Sequence, residues 1–271
     1  MHHKEIEING RSIAYYERGG KGQPVLFIHG NSMSSRCFER QFKSPLGRNY
    51  RLVALDLPGH GRSAPAQDPK SFYTLPAYAD IIYDFAKSLE LENAVLVGWS
   101  LGGHVLLEAM GRLKKSVGLM LFGAPPVGKP MAANVFLPNP LMSLAFKNDL
   151  SNEEVIALTT AFFKPYTRVP DFFFEDMRRT DGRAREALGI SIGAGNYSDE
   201  VKVVAHLNKP LAIVQGEHDS IASLPYIKGL SIPTLWRGEI QMILDAGHTP
   251  QWEQPEKFNN LLMEFIEACI R

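Results

Sequence analysis

Gly98-Trp99-Ser100-Leu101-Gly102-Gly103 follows an apolar run, Ala94-Val95-Leu96-Val97, and opens a helical pattern that continues from His104 to Leu113. The order is strand, sharp turn, helix, with a serine at the apex and a glycine two residues away on each side. That context makes a Gly-x-Ser-x-Gly sequence meaningful. The turn exposes the hydroxyl, the glycines let neighbouring backbone approach, and the new helix aims its first N–H groups at the same place. Ser100 is therefore the candidate nucleophile.

The pattern repeats outward from this turn. Pro24–Ile28 ends in His29-Gly30, Arg51–Leu55 ends in Asp56-Leu57-Pro58-Gly59, and Val117–Phe122 ends in Gly123. Leu211–Val214 and Ile240–Leu244 follow later. Runs that are apolar at every position suit parallel strands covered on both faces. Between them, Tyr78, Ile81, Ile82, Phe85 and Leu89 recur at helical spacing, as do Leu261, Leu262, Phe265 and Ile266. This alternation predicts an α/β fold with a mostly parallel central sheet and helices on both faces. Near the start, Asn9-Gly10 between two alternating runs reads as a hairpin.

The rhythm breaks between residues 127 and 198. That stretch is aromatic-rich, and Ser151 with Glu154 forms a capping-box pattern. It reads as a helical cap inserted in a core made of residues 1–126 and 199–271.

Composition excludes several classes of function. The 271 residues are 45% hydrophobic and 21% charged, so the chain is neither disordered nor a disulfide scaffold. At this length roughly three-quarters of the unfolded surface is buried, enough for a core without metal or cross-links. With 29 Lys and Arg against 29 Asp and Glu, the net charge is zero. Bulk attraction to nucleic acid or anionic lipid is absent, and a small molecule is the expected partner. Two isolated cysteines, Cys37 and Cys269, and a polar N-terminal segment fit a cytoplasmic protein without disulfides. No run of eighteen apolar residues exists to span a membrane.

A serine nucleophile needs a base. His248, in Asp245-Ala246-Gly247-His248, follows the last strand run, at the sheet edge where the Ser100 turn also lies. His104 reads as a packed helix residue, and His29 and His60 read as turn residues. The base needs a carboxylate to hold its tautomer. Asp219, in the exit loop of the Leu211 strand, meets that need, while Glu217 reads as a solvated loop acid. The N–H groups of Asn31 and Leu101 are the expected oxyanion donors. Asn31 (by its side chain), Trp99, Phe162 and Phe163 are expected to contact substrate. Neither metal nor cofactor is expected.

Together, His29-Gly30-Asn31, Asp56 to Ser63, Gly98 to Gly103 and Asp245 to His248 resemble the α/β-hydrolase family along essentially the whole chain. The resemblance implies the α/β-hydrolase fold and a Ser100, Asp219, His248 triad in that chain order. A narrower resemblance is to the metal-independent N-acyl-homoserine lactonases of this fold. It rests on His29-Gly30-Asn31-Ser32, Gly98 to His104, Gly123-Ala124-Pro125-Pro126, Arg179 to Arg185 and Leu235-Trp236-Arg237-Gly238. One departure is Asp219, where those enzymes carry Glu. The resemblance implies a serine hydrolase of a small ester or lactone, of the quorum-quenching type. A general carboxylesterase, a carbon–carbon bond hydrolase, a cofactor-free perhydrolase and a non-catalytic ligand receptor share the fold. Dehalogenases and epoxide hydrolases use Asp where Ser100 stands, and the His-rich cluster of metallo-lactonases is missing from the sequence.

Overall fold

The computed structural model describes residues 3–271. Eight strands form one sheet: β1 (His3–Ile8), β2 (Arg11–Arg18), β3 (Pro24–Ile28), β4 (Arg51–Leu55), β5 (Val95–Trp99), β6 (Gly118–Phe122), β7 (Leu211–Gly216) and β8 (Gln241–Ile243). Their spatial order is β1-β2-β4-β3-β5-β6-β7-β8. Strands β4, β3, β5, β6, β7 and β8 are parallel, whereas β1 and β2 run antiparallel at one edge. Asn9 and Gly10 both take positive φ, as a two-residue hairpin turn requires.

The apolar runs are explained by two cores, one on each face. Along β3, Leu26 and Ile28 enter one core while Val25 and Phe27 enter the other. β5 divides in the same way, with Leu96 on one face and Val95, Val97 and Trp99 on the other. Helix α1 (Leu75–Ser88), capped by Thr74, buries Tyr78, Ile81, Ile82 and Phe85 on the first face. It packs beside α2 (Leu101–Ala109).

Residues 127–198 contain no strand; an isolated bridge links Phe136 to Ala222. They hold a 3-10 helix at Pro140–Phe146, then α3 (Asn152–Ala161), α4 (Asp171–Arg179) and α5 (Gly182–Gly193). The Ser151–Glu154 capping box is formed in both directions. Helix α6 (Glu200–Ala205) follows at once and leads back to β7. The last helix, α7 (Pro255–Ile270), buries Phe258, Leu262, Phe265 and Ile266 in the second core. Among the described residues no helix is long and apolar enough to cross a membrane, and Cys37 and Cys269 are both free thiols.

The Arg179 to Arg185 segment ties the inserted helices to the sheet. Asp181 caps α5, its N–H donates to the Gly59 carbonyl at 2.9 Å, and it accepts from the Tyr73 hydroxyl at 2.8 Å. The buried Arg185 donates to the carbonyls of Lys147 and Asn148 at 2.8 and 2.7 Å. It also reaches Ser32 Oγ at 3.4 Å, in the loop after β3.

Candidate active site

Ser100 stands where β5 turns into α2, with φ 51° and ψ −120°. A non-glycine residue in that conformation is strained, and the surroundings hold it there. Its N–H donates to the Phe122 carbonyl at 2.9 Å, and the helix starts at the next residue. A Cβ on Gly102 would collide with the carbonyl oxygen of Ile28, so only glycine lets α2 start this close to β3.

His248 arrives from the loop after β8. Its Nδ1 lies 2.9 Å from Asp219 Oδ2, and both side chains are 1% exposed. Asp219 comes from the loop after β7, the next strand in the sheet. Its other oxygen accepts the N–H groups of Ile221 and Ala222 at 2.8 and 3.2 Å. Burial alone would raise the Asp219 carboxyl. The His248 charge, the His248 hydrogen bond and the two backbone donors outweigh burial and hold it below the usual range. A carboxylate only accepts, so Nδ1 carries a proton, and in the neutral ring it is Nε2 that has the lone pair. His248 Nε2 is buried and has no hydrogen-bond partner among the described residues.

That nitrogen belongs to a residue lining a cavity of about 280 Å³, which Ser100, Asn31 and Leu101 also line. Most of the remaining wall is apolar, including Val127, Phe136, Phe162, Leu188 and Ile192. Met131 and Phe146, 41% and 39% exposed, mark the mouth. Among the described residues, neither the N–H of Asn31 nor that of Leu101 has a hydrogen-bond partner. Both are available to a developing negative charge, and Leu101 stands at a helix N-terminus.

Two of the residues expected to contact substrate are not among those lining this cavity. Trp99 is fully buried on the opposite face of β5 and does not line the cavity, because successive side chains on a strand alternate. Its indole N–H donates to the His248 carbonyl at 2.8 Å, and its ring lies parallel to Phe122. Phe163 packs edge-on against Phe173, 4.9 Å between centroids, and also stays outside the cavity. Phe162 lines it and packs on the His248 ring, 5.7 Å away. The Asn31 amide Nδ2 donates to the Ala145 carbonyl at 2.8 Å, which joins the loop after β3 to the 3-10 helix at Pro140–Phe146.

His29 and His60 are buried turn residues. His29 Nδ1 bonds the Gly30 carbonyl and Nε2 accepts the Leu57 N–H. Burial pushes His29 down to about 4 and His60 to about 3, so both are neutral. Glu217 is exposed and accepts the Asp245 N–H at 3.0 Å.

Three features escaped the sequence reading. Glu253 accepts the N–H groups of Gly247 and Lys164, both at 2.8 Å, and so braces the His248 loop against the inserted helices. Gly123, with φ 60°, makes room for the base: a Cβ there would stand 2.5 Å from His248 Cε1. The third is a second histidine–carboxylate pair on the cavity wall, His104 with Glu200. Among the described residues no group of three or more His, Cys, Asp or Glu is placed to hold a metal ion.

Residues 25–261 match the model of the alpha/beta hydrolase family. Among solved structures, the chain is similar to a serine-to-glycine variant of the N-acyl homoserine lactonase AidH complexed with N-hexanoyl homoserine lactone. The TM-score is 0.95 and the identity 33%, over 99% of this chain and 98% of that one. Among curated proteins, it is 26% identical over 268 residues to the AB hydrolase superfamily protein YisY of Bacillus subtilis (strain 168), covering 94% of this chain and 95% of that protein. It is also 27% identical to the non-heme chloroperoxidase CPO-A1 of Kitasatospora aureofaciens, over 93% and 95% of the two chains.

Proposed function

The chain belongs to the alpha/beta hydrolase family, and from that premise we propose that it is a serine hydrolase that opens the ring of N-acyl-homoserine lactones. The observation that carries this reading is the unpartnered His248 Nε2, with Nδ1 held by Asp219, on a mostly apolar cavity that Ser100 also lines. The likeness to AidH supports the lactone as substrate.

Ser100 Oγ attacks the lactone carbonyl carbon as His248 Nε2 takes its proton. Asp219 stabilises the imidazolium, and the oxyanion rests on the N–H groups of Asn31 and Leu101, each worth about 3–4 kcal/mol in the transition state. His248 returns the proton to the ring oxygen, which leaves as a hydroxyl still tethered to the acyl-enzyme. A water, deprotonated by His248, then attacks the ester to Ser100 and releases N-acyl-homoserine. A lactone is more reactive than the neighbouring amide because its carbonyl is less resonance-stabilised. The cavity sits at the small end of the ~300–1,000 Å³ typical of ligand sites. That size suits a lactone with a short to medium acyl chain, longer chains leaving past Met131 and Phe146. In this reading residues 127–198 are a cap on a core of residues 1–126 and 199–271.

Mass spectrometry of a panel of acyl-homoserine lactones after incubation tests the proposal. The expected product carries one added water and no fragment is lost. Free fatty acid with intact homoserine lactone refutes the lactonase reading. Rapid hydrolysis of p-nitrophenyl esters with untouched lactones selects a general carboxylesterase. Binding without turnover of either selects a ligand receptor.

A further inference from the structure

His104 stands four residues after Ser100 on α2, hence on the same face of the helix and about 6 Å further along it. Its Nδ1 lies 3.0 and 2.9 Å from the two carboxylate oxygens of Glu200. Glu200 is 1% exposed and also accepts the Val127 N–H at 2.7 Å. The carboxylate only accepts, so Nδ1 carries a proton. This pairing fixes the ring and tethers Val127, and it leaves Nε2 without a hydrogen bond among the described residues, on a mostly apolar wall. The His104 side chain is 14% exposed, so a ligand in the cavity can reach it. The Ser100, His248, Asp219 chemistry makes no use of this one.

We propose that His104, held by Glu200, is the specificity site for a carbonyl oxygen on the substrate, on a carbon three bonds from the one Ser100 attacks. The proposal rests on the hydrolase reading above and names what its cavity selects. In an N-acyl-homoserine lactone that carbonyl is the side-chain amide, separated from the ring carbonyl by the α-carbon and the nitrogen. Standard bond lengths place its oxygen roughly 4–5 Å from the attacked carbon. A hydrogen bond of about 2.9 Å closes the remaining gap to a side chain one helical turn away. Burial alone would lower the His104 pKa, but the Glu200 charge and hydrogen bond outweigh it and raise it. The Glu200 carboxylate against Nδ1 stabilises the doubly protonated ring, and in that form Nε2 donates, as an oxygen acceptor requires.

The test compares two substrate pairs of matched chain length, with and without this oxygen. One pair is N-hexanoyl-homoserine lactone and α-heptyl-γ-butyrolactone, which lacks the amide N–H as well as the oxygen. The other is p-nitrophenyl levulinate, whose keto group sits at the same distance, and p-nitrophenyl valerate, which differ in the oxygen alone. Each kcat/KM is divided by the hydroxide-catalysed rate of the same compound. Wild type is expected to favour the oxygenated member of each pair, and His104→Leu to lower that ratio about 10–100-fold, mainly through KM. A purely structural role for His104 lowers both members alike, leaves the ratio unchanged and overturns the proposal. A wild-type ratio near one overturns it without any variant, should His104→Leu fail to fold. If neither lactone is opened but the nitrophenyl ratio still collapses in His104→Leu, the lactonase reading fails and the His104 site stands. If lactones are opened and the ratio does not move, the His104 site fails alone. No turnover of any of the four overturns both.

Discussion

The indole N–H of Trp99 donates to the backbone carbonyl of His248 at 2.8 Å. The residue before Ser100 thus holds the main chain of His248 from the second core. The two rings lie 5.9 Å apart between centroids, and the Phe162 ring packs on both. His248 is therefore held in part from the second core, to which Trp99 and Phe162 belong.

Trp99→Phe keeps most of the packing and removes that hydrogen bond. One such bond contributes about 1 kcal/mol, so kcat should fall about fivefold while KM changes little. Steady-state kinetics on esters of different acyl length check this. A KM change that depends on acyl length would mean that Trp99 touches substrate after all.

Ser100→Ala should lose on the order of a million-fold in kcat while its circular dichroism and melting curve match wild type. The strained φ at this position is tolerated as poorly by alanine as by serine, so stability should change little. A folded variant that retains a tenth of wild-type turnover would remove Ser100 from the nucleophile role.

Asp219→Asn should lose up to about ten-thousand-fold in kcat. The Ile221 and Ala222 N–H groups would keep the amide oxygen facing them, which turns Nδ2 toward His248. His248 Nδ1 must then accept, its proton moves to Nε2, and the base is lost. Glu217→Gln, in an exposed loop, should stay within about threefold. A reversal of the two effects would exchange their roles.

The strands and the Ser100 turn were readable because burial on both faces leaves continuous apolar runs, and because the turn demands small residues beside the serine. Asp219 and His248 were readable because each closes a strand at the same sheet edge. Adjacency to Ser100 suggested a substrate contact for Trp99, whereas the period-two alternation with Val95 and Val97 places its side chain in the second core. His104 and Glu200 are 96 residues apart, and neither carries a local pattern that announces the other. Arg185 and, at Lys164, Glu253 act on backbone groups brought near them by the inserted helices. Such pairings depend on where the helices settle, which hydrophobic period does not encode.

Arg185→Met should destabilise the fold by about 2–4 kcal/mol. The guanidinium is buried and satisfies the carbonyls of Lys147 and Asn148, which methionine would leave without those donors. Its Ser32 contact adds an effect on the oxyanion loop, so kcat should drop as well. Urea unfolding with steady-state kinetics measures both. Unchanged stability would show that water replaces the side chain at no cost.

Asp176 on α4 is 2% exposed and accepts from Ser34 Oγ at 2.5 Å, with Arg36 3.3 Å from its other oxygen. Burial pushes its carboxyl up to about 6 from an ordinary 3.8, and Ser34 and Arg36 only partly oppose this. Below about pH 4 the folded and unfolded states both hold the proton. Between about 4 and 6 the folded state holds more, so stability falls as pH rises across that window and stays lower above it. The loss is on the order of 1–3 kcal/mol. Asp176→Asn, which cannot ionise and still accepts from Ser34, should be more stable than wild type at pH 8, with the gain shrinking toward pH 4. Thermal or urea unfolding from pH 4 to 8 gives the two curves. A wild type that outlasts the variant at pH 8 would show that the ion pair with Arg36 outweighs burial.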